Sequence, residues 1–395
     1  MSRIKLTEEQ KALLFGEKGN SYSKCMKILV TLGEIFGAKK LIKVSSVQIS
    51  GVSYANIGKY GLEFIEDLAK DGVKVSIKTT LNPAGMDLIH WREMGIDKEF
   101  AEKQKRVISA FEKIGVEISC SCIPYLIGNL PKRGEHIAWG ESSAVCYANS
   151  VIGARTNREG GPSTIASSIT GYTPEYGLHL EENRIPYLKV ILDIKEIKPL
   201  YPGIIGYILG EKLKNKIPYI IGPKIELEGL KELSASIATY SGISMFYWEG
   251  ISEEIDPPKK ELILRERDIK EGMRWLKGDK SNIDLIAIGC PHATLNELYL
   301  IKEILKGRKV KIETWISTAR KIYELALKKG LIDELGRSGV KIFCDSCFVV
   351  APIKGRFKKI GTDSAKALYY IKGRLGSETY YGEKEELLEI AIKGS

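Results

Sequence analysis

Five of the seven cysteines stand where a strand-like run gives out, and thiols in such places can serve a soft metal. Cys120 and Cys122 close "VEISCSC" ahead of Ile123-Pro124-Tyr125, Cys290 follows "IDLIAIG", and Cys344 and Cys347 close "GVKIFCDSC". Thiolates select zinc, copper(I) or iron–sulfur clusters over hard ions. A structural zinc site usually takes paired CxxC knuckles, and this chain has one, Cys344-Asp345-Ser346-Cys347. One thiolate from each of three loops suits a cluster with an open iron better than a closed zinc site. Cys122 opens its loop while Cys120 keeps strand character, and Cys347 lies farther out than Cys344, which continues "KIF". The plain alternative is buried thiols acting as small hydrophobes. That is the expected state of Cys25 and Cys146, on apparent helix faces among apolar neighbours. An odd number of cysteines and a reducing compartment argue against structural disulfides.

Other residue types offer anion binding and proton transfer. Gly51, Val52 and Ser53 in "SGVS" form a strand-to-helix turn with backbone N–H groups and a hydroxyl, a natural cradle for an anion. Asn82 and Pro83 in "LNPAG" occupy a neighbouring loop that by itself reads as an ordinary turn. Glu141 and Ser142 in "WGESSAV" precede a helix; Glu141 is either a plain cap or a group that hydrogen-bonds a substrate hydroxyl or acts as an acid. Arg320 in "STAR" and Lys366 in "DSAK" open helices, where a cation is unfavourable for the macrodipole unless an anion binds there. Arg155 and Arg158 in "GARTNREGG" are further anion clamps. His90, His136, His179 and His292 lack metal-ligand spacing; His292, two residues past Cys290, suits a hydrogen bond within its loop.

The elements that must position these residues alternate. From Lys40, "KLIKVSSVQI" reads as a strand, "YGLEFIEDLAKDG" as a helix, "VKVSIKTTL" as a strand, "KEFAEKQKRVISAFEKIG" as a helix and "VEISCSC" as a strand. The same alternation returns from Asn282. Such alternation implies parallel α/β layers, with the functional crevice beyond the carboxyl ends of the strands. "ISGVSYANIG", "TTLNPAG" and "CSCIPY" all take that position, so three loops should meet. The texture divides the chain into a first α/β domain over 1–184, a smaller inserted one over 185–280 and a C-terminal one over 281–395. Thr7 and Gln10 look like a capping box opening a first helix.

Composition narrows the function classes. A 44% hydrophobic, 28% charged chain of 395 residues reads as a soluble globular protein of two or three domains. The net charge of +10 is dispersed among acids, as in "EEIDPPKKELILRERDIKEG", rather than gathered in the stripe a nucleic-acid binder needs. That pattern and the single CxxC argue against a non-enzymatic zinc or nucleic-acid binding protein. No run is apolar for long enough to span a bilayer and the N-terminus lacks a signal-peptide core, so the expected location is cytoplasmic, without membrane association.

The runs "CIPY … HIAWGESSAVCYANSVIGARTNREGG", "GCPHAT" and "CDSCFVVAP", in this order, resemble the aconitase X family, specifically its large catalytic subunit. The likeness extends from "LTEEQKALLFGEKG" through "GTDSAKALYYIKG". It implies an α/β, aconitase-like fold of three α/β domains around a central cleft. The swivel domain is expected to be absent from this chain and supplied by a small subunit bearing a catalytic Ser. The family's cysteine motifs carry over to Cys122, Cys290 and Cys347 as holders of a [4Fe-4S] cluster, the same positions that loop placement favours. The implied activity is that of an iron–sulfur hydro-lyase acting on a small phosphorylated hydroxy acid, (R)-5-phosphomevalonate, to give trans-anhydromevalonate 5-phosphate. The alternative within the family is dehydration of 3-hydroxyproline, which needs a site for a cationic amine instead of a phosphate.

Overall fold

The computed structural model describes residues 4–394. Helix α1 (Glu8–Phe15) opens on the capping box: the Thr7 hydroxyl accepts from the Gln10 N–H, and the Gln10 side chain accepts from the Thr7 N–H. Helix α2 (Asn20–Ile35) follows, with Cys25, Met26 and Leu29 on its buried face. The expected strand over 40–49 is broken in two. β1 (Leu41–Lys43) leaves the main sheet to pair antiparallel with β5 (Tyr172–Pro174), while β2 (Ser46–Ile49) is the centre of a parallel sheet. β3 (Lys78–Leu81) and β4 (Ala138–Trp139) flank β2 in that sheet. Helices α3 (Tyr54–Lys70) and α4 (Lys98–Lys113) pack on one another, and α5 (Ser142–Tyr147) and α6 (Gly161–Thr170) complete the unit.

"VEISCSC" departs from expectation. It forms only a bridge between Glu117 and Thr80, then follows the edge of β3 through Ser121 N–H to Leu81 O. Cys120 takes a left-handed conformation (φ 39°), which turns the chain out of the ladder. The thiols therefore sit on a loop laid along a sheet edge, not on a strand end.

The next unit has a four-stranded parallel sheet, in the order 8-7-6-9, from β6 (Leu188–Asp193), β7 (Pro218–Ile221), β8 (Tyr247–Trp248) and β9 (Glu261–Arg265). Helices α7 (Tyr201–Leu213), α8 (Leu227–Ser241) and α9 (Glu266–Lys277) accompany it. A Cβ on Gly206 would come within 2.8 Å of the Ile237 nitrogen, so α7 and α8 lie against one another with their backbones nearly touching.

The last unit is a five-stranded parallel sheet in the order 12-11-10-13-14. Its strands are β10 (Leu285–Ala293), β11 (Glu313–Thr318), β12 (Lys341–Phe343), β13 (Lys359–Thr362) and β14 (Glu378–Tyr381). Helices α10 (Leu295–Leu305), α11 (Arg320–Lys328), α12 (Leu331–Arg337), α13 (Ala365–Tyr370) and α14 (Lys384–Lys393) connect and cover them. β10 is buried along its whole length, as a central parallel strand must be. Its register against β11 shifts between Ile288 and Ala293, a bulge that takes Cys290 out of the ladder. Gly289 makes the bulge possible: its φ is 98° and a Cβ there would lie 2.1 Å from Ser317 O.

Apolar packing joins the units around the site. Met86, Trp91 and Met94, from the loop after β3, share one core with Trp315, Phe343, Cys290 and Cys347 of the last unit. Cys122 belongs to a second core that links α5, α8 and β10. Among the described residues, no helix is long and apolar enough to cross a membrane.

Candidate active site

Three loops that the sequence placed at strand ends do meet, and their contacts are specific. The loop Cys344–Val350 is clasped by the first unit. Ala84 N–H donates to Asp345 O at 2.7 Å, Ala84 and Ser346 form a bridge, and the Ser53 hydroxyl donates to Val350 O at 3.4 Å. Gly51, with φ 73°, turns the chain between β2 and α3. Gln104 of α4 then fixes this turn and the next loop together: it donates to Val52 O at 3.0 Å and accepts from Tyr54 N–H at 2.9 Å and Gly85 N–H at 3.0 Å. Asn82 N–H donates to Ile49 O, so Asn82 and Pro83 stand beside Gly51-Val52-Ser53.

Cys122, Cys290 and Cys347 are each 7% exposed, whereas Cys25, Cys120, Cys146 and Cys344 are wholly covered. Burial raises every one of these thiols, Cys122 to about 12, with the Glu141 carboxylate and Cys347 adding to it. Cys290 is raised by burial and by both Cys347 and Cys122, and Lys366 acts on all three thiols in the opposite direction. The three thiols and Lys366 thus lie within one another's field. Cys120 and Cys344 belong to a different neighbourhood, that of Arg320 and Asp345. Among the described residues, no three His, Cys, Asp or Glu side chains are drawn together as around a single metal ion.

Beside the thiols lies a buried ion pair. Lys366 Nζ is 2.5 Å from Glu141 Oε1, the two side chains 10% and 6% exposed. Glu141 caps α5: it accepts from Ala144 N–H at 2.7 Å and from the Ser143 hydroxyl at 2.5 Å. Ser142 lies 3.4 Å from both Lys366 Nζ and Glu141 Oε1. Burial pushes the Glu141 carboxyl up, but the Lys366 ammonium and these donors outweigh it and hold it below the usual carboxylate range. Burial pushes the Lys366 ammonium the other way, and the Glu141 carboxylate foremost overcomes it. In this arrangement Glu141 is an acceptor and an anchor.

Arg320 is placed differently from the free anion clamp expected of it. Its guanidinium pairs with Asp345 and, at 3.1 Å, with Asp87, both carboxylates buried. Asp87 also accepts from Ile89, His90 and Cys344 N–H groups at 2.7–2.8 Å. Arg320 is thus a brace behind the Cys344–Cys347 loop. Arg155 is likewise spent, on Glu181, and Arg158 is exposed. His90 pairs with Glu93, and His136 with His179.

Three groups important to the site gave little sequence signal. Asp87 in "AGMDLIH" carried only the mark of an Asx turn. Lys231, in "GLKELSAS", reads as a solvated helix lysine, yet it is 3% exposed, paired with Glu297 and donating to His292 O at 3.0 Å. Lys384 pairs with Glu297 at 3.1 Å and Asp363 at 2.6 Å. Lys231, Glu297, Lys384 and Asp363, with Glu232 and Cys290, line a cleft of about 470 Å³ between α8, the end of β10 and the start of α14. Burial raises the Glu232 carboxyl to about 8, although it accepts the Ala365 N–H at 2.8 Å.

Three family models match the chain in order: the aconitase X first domain over 3–182, second domain over 186–274 and third domain over 283–393. The phosphomevalonate dehydratase large subunit of Methanocaldococcus jannaschii is 44% identical, over 97% of this chain and 99% of that one. The cis-3-hydroxy-L-proline dehydratase of Hypocrea jecorina is 33% identical over 99% of this chain, which spans 69% of that longer protein. A crystal structure of Thermococcus kodakaraensis aconitase X in its holo-form superposes with a TM-score of 0.91 at 42% identity, over 98% of this chain and 100% of that one. With three domain models in register along the chain and relatives of this identity over almost its full length, the protein belongs to the aconitase X family.

Proposed function

We propose that this chain is the large subunit of a hydro-lyase that removes water from (R)-5-phosphomevalonate to give trans-anhydromevalonate 5-phosphate, using an iron–sulfur cluster and a small partner subunit. The observation that carries it is the nearness of three thiols from two units of the chain, Cys290 and Cys347 in one apolar core and Cys122 Sγ bonded by the His292 N–H beside them. The relative from Methanocaldococcus jannaschii, matched nearly end to end, bears the name of that activity and of a large subunit.

The residues present fit a cluster. They offer three thiols, each slightly exposed where the other four are wholly covered, with the soft donor set that Fe–S clusters use. Iron shared over several sites tolerates sulfurs spaced more widely than a single ion does, which agrees with the absence of a single-ion grouping among the described residues. Gln48 Oε1, Asn82 Oδ1 and Ser346 Oγ are buried near these loops without a protein partner, as expected of a site built to hold something besides protein. Cys122, Cys290 and Cys347 would hold the cluster, whose open iron supplies Lewis-acid assistance to a departing hydroxyl.

The chain's own residues do the rest. Elimination takes a proton from the carbon beside the carboxylate and a hydroxyl from the next carbon; both leave as water. Lys366 presents a fixed ammonium, held by Glu141, toward the negative charge that grows on the leaving oxygen and the carboxylate. The Gly51–Ser53 turn and Asn82 bring hydroxyl and amide donors to the substrate's anionic groups. The base is a serine of the small subunit, so closure of the site waits on that partner.

Anaerobically purified large subunit, mixed with its candidate small subunit, is to be assayed on 5-phosphomevalonate and on cis-3-hydroxyproline alongside iron and sulfide analysis. Turnover of the phosphorylated acid alone, with iron and sulfide bound, is the expected result. Turnover of hydroxyproline, or a wild-type chain that cannot be loaded with iron and sulfide, overturns the reading.

A further inference from the structure

His292 is wholly buried and touches all three cysteine-bearing loops. Its backbone N–H donates to Cys122 Sγ at 3.2 Å. Its Nδ1 lies 3.2 Å from the hydroxyl of Ser121, the residue before Cys122, and its Nε2 lies 3.0 Å from the carbonyl oxygen of Ser346, the residue before Cys347. His292 itself stands two residues after Cys290.

The bonds assign the tautomer. A carbonyl oxygen only accepts, so Nε2 carries the proton and Nδ1 accepts from the Ser121 hydroxyl. That hydroxyl oxygen in turn accepts the Ile123 N–H at 3.2 Å, so every polar group in the chain of contacts is satisfied. The His292 carbonyl is pinned as well, by Lys231 Nζ at 3.0 Å, and Lys231 is held by Glu297. One residue thus fixes the Cys290 segment to the Cys122 loop twice and to the Cys347 loop once, and is tied to α8 from behind.

From this geometry we infer that His292 is the positioning residue that sets the mutual placement of Cys122, Cys290 and Cys347. The inference rests on the reading of those thiols as cluster holders. The Cys122 loop runs along the edge of β3 in one sheet, while Cys290 and Cys347 belong to a bulge in β10 and the loop after β12 in another, so no ladder joins all three. Without the imidazole, the Ser121 hydroxyl and the Ser346 carbonyl lose their common partner, and with it the side-chain link between the Cys122 and Cys347 loops. The N–H donated to Cys122 Sγ adds a second consequence: a donor to a ligand sulfur stabilises its negative charge and raises the potential of whatever it binds.

The test compares wild type with His292→Ala, His292→Gln and Ser121→Ala after anaerobic loading with iron and sulfide. The readouts are iron per chain, the rate at which a chelator bleaches the visible absorbance, and the melting temperature of the metal-free chains. Partners that orient metal ligands typically change metal affinity about 10–100-fold. Bleaching is therefore expected to accelerate about tenfold or more in His292→Ala. His292→Gln, with a donor and an acceptor on one side chain, recovers part of the loss, and Ser121→Ala falls between wild type and His292→Ala. A merely structural histidine lowers the metal-free melting temperature and leaves bleaching per folded chain unchanged, and that outcome overturns the inference. If His292→Ala does not fold, Ser121→Ala decides alone: wild-type bleaching in that variant also overturns it. A wild type that takes up no iron and sulfide refutes the cluster reading itself; a loaded wild type matched by equally retentive variants refutes only the role of His292.

Discussion

Removing the ammonium of Lys366 while keeping its bulk isolates the buried ion pair. Lys366→Met leaves Glu141 with the Ser143 hydroxyl and Ala144 N–H but without its cation, in a site where the carboxylate is 6% exposed. Breaking a buried pair from one side costs about 3–5 kcal/mol, because the remaining charge is stranded. Glu141 can escape part of that by taking up a proton, at about 1.4 kcal/mol per pH unit between its new pKa and the assay pH. Its remaining donors, the Ser142 hydroxyl among them, also favour the charged form, so the lower end, about 3 kcal/mol, is the expectation at neutral pH. Glu141→Gln strands the lysine instead, beside raised thiols that stay protonated and give it no anion. Its cost is similar. The double variant carries no net buried charge at this point, so it should recover about 2–3 kcal/mol of the summed single losses.

Urea unfolding of the metal-free chain, followed by tryptophan fluorescence and circular dichroism together, measures all three. Single losses under about 1 kcal/mol, or a cycle that adds to within about 0.5 kcal/mol, would show a pair still paid in water, and the electrostatic reading of the site would fail. The same variants separate the roles of Lys366 in turnover. A fall in kcat fits an ammonium aimed at charge that develops during elimination. A rise in KM for 5-phosphomevalonate with kcat intact would move Lys366 to the phosphate end.

Replacing Cys122, Cys290 or Cys347 by Ser should abolish iron binding after anaerobic loading, whereas Cys25→Ser and Cys146→Ser should spare it; full iron retention in Cys290→Ser would sink the ligand assignment. The large subunit alone should show no turnover at any substrate concentration and gain it on titration with the small subunit, so robust activity of the isolated chain counts against a base supplied in trans. Glu297 tests the pH dependence. Burial raises its carboxyl, but Lys231 and Lys384 depress it from 4.5 to about 2, so its stabilisation is full above the unfolded value and is lost as pH falls from 4.5 toward 2. The stability gap between wild type and Glu297→Gln should therefore be wide at pH 6, by roughly 3 kcal/mol, and narrow by pH 3; a constant gap in urea midpoints would show that the carboxylate charge contributes nothing.

The alternation of apolar runs made the parallel sheets legible, because a strand buried on both faces, such as β10, shows as a continuous apolar run ending at its bulge. The α1 capping box was equally plain, since both partners lie within four residues. Strand ends were harder. "VEISCSC" is apolar enough for a strand, yet Cys120 leaves the β region, and no local feature of Ser-Cys-Ser-Cys announces a positive φ. "KLIKVSSVQI" hides its break for the same reason: β1 turns to pair with β5, about 130 residues later, a long-range preference that periodicity does not encode.

The site divides along a similar line. That Cys122 and Cys347 stand in loops could be read locally, because where a strand-like run gives out is a local property. The partners of the charged groups could not. Arg320 and Lys366 stand at matching places, each opening a helix after a strand, and the sequence treats them alike as anion clamps. The fold gives Arg320 two buried aspartates, one from the loop after β3 and one between Cys344 and Cys347, and gives Lys366 a single glutamate at the cap of α5. Two carboxylates more than neutralise a guanidinium, so Arg320 holds its loop to the first unit. One carboxylate leaves the Lys366–Glu141 pair neutral, with an ammonium still facing three thiols that are protonated when bare and become anions only on binding metal. That difference arises from contacts between residues 225 positions apart in one case and 233 in the other, which two helix openings so alike in sequence cannot announce.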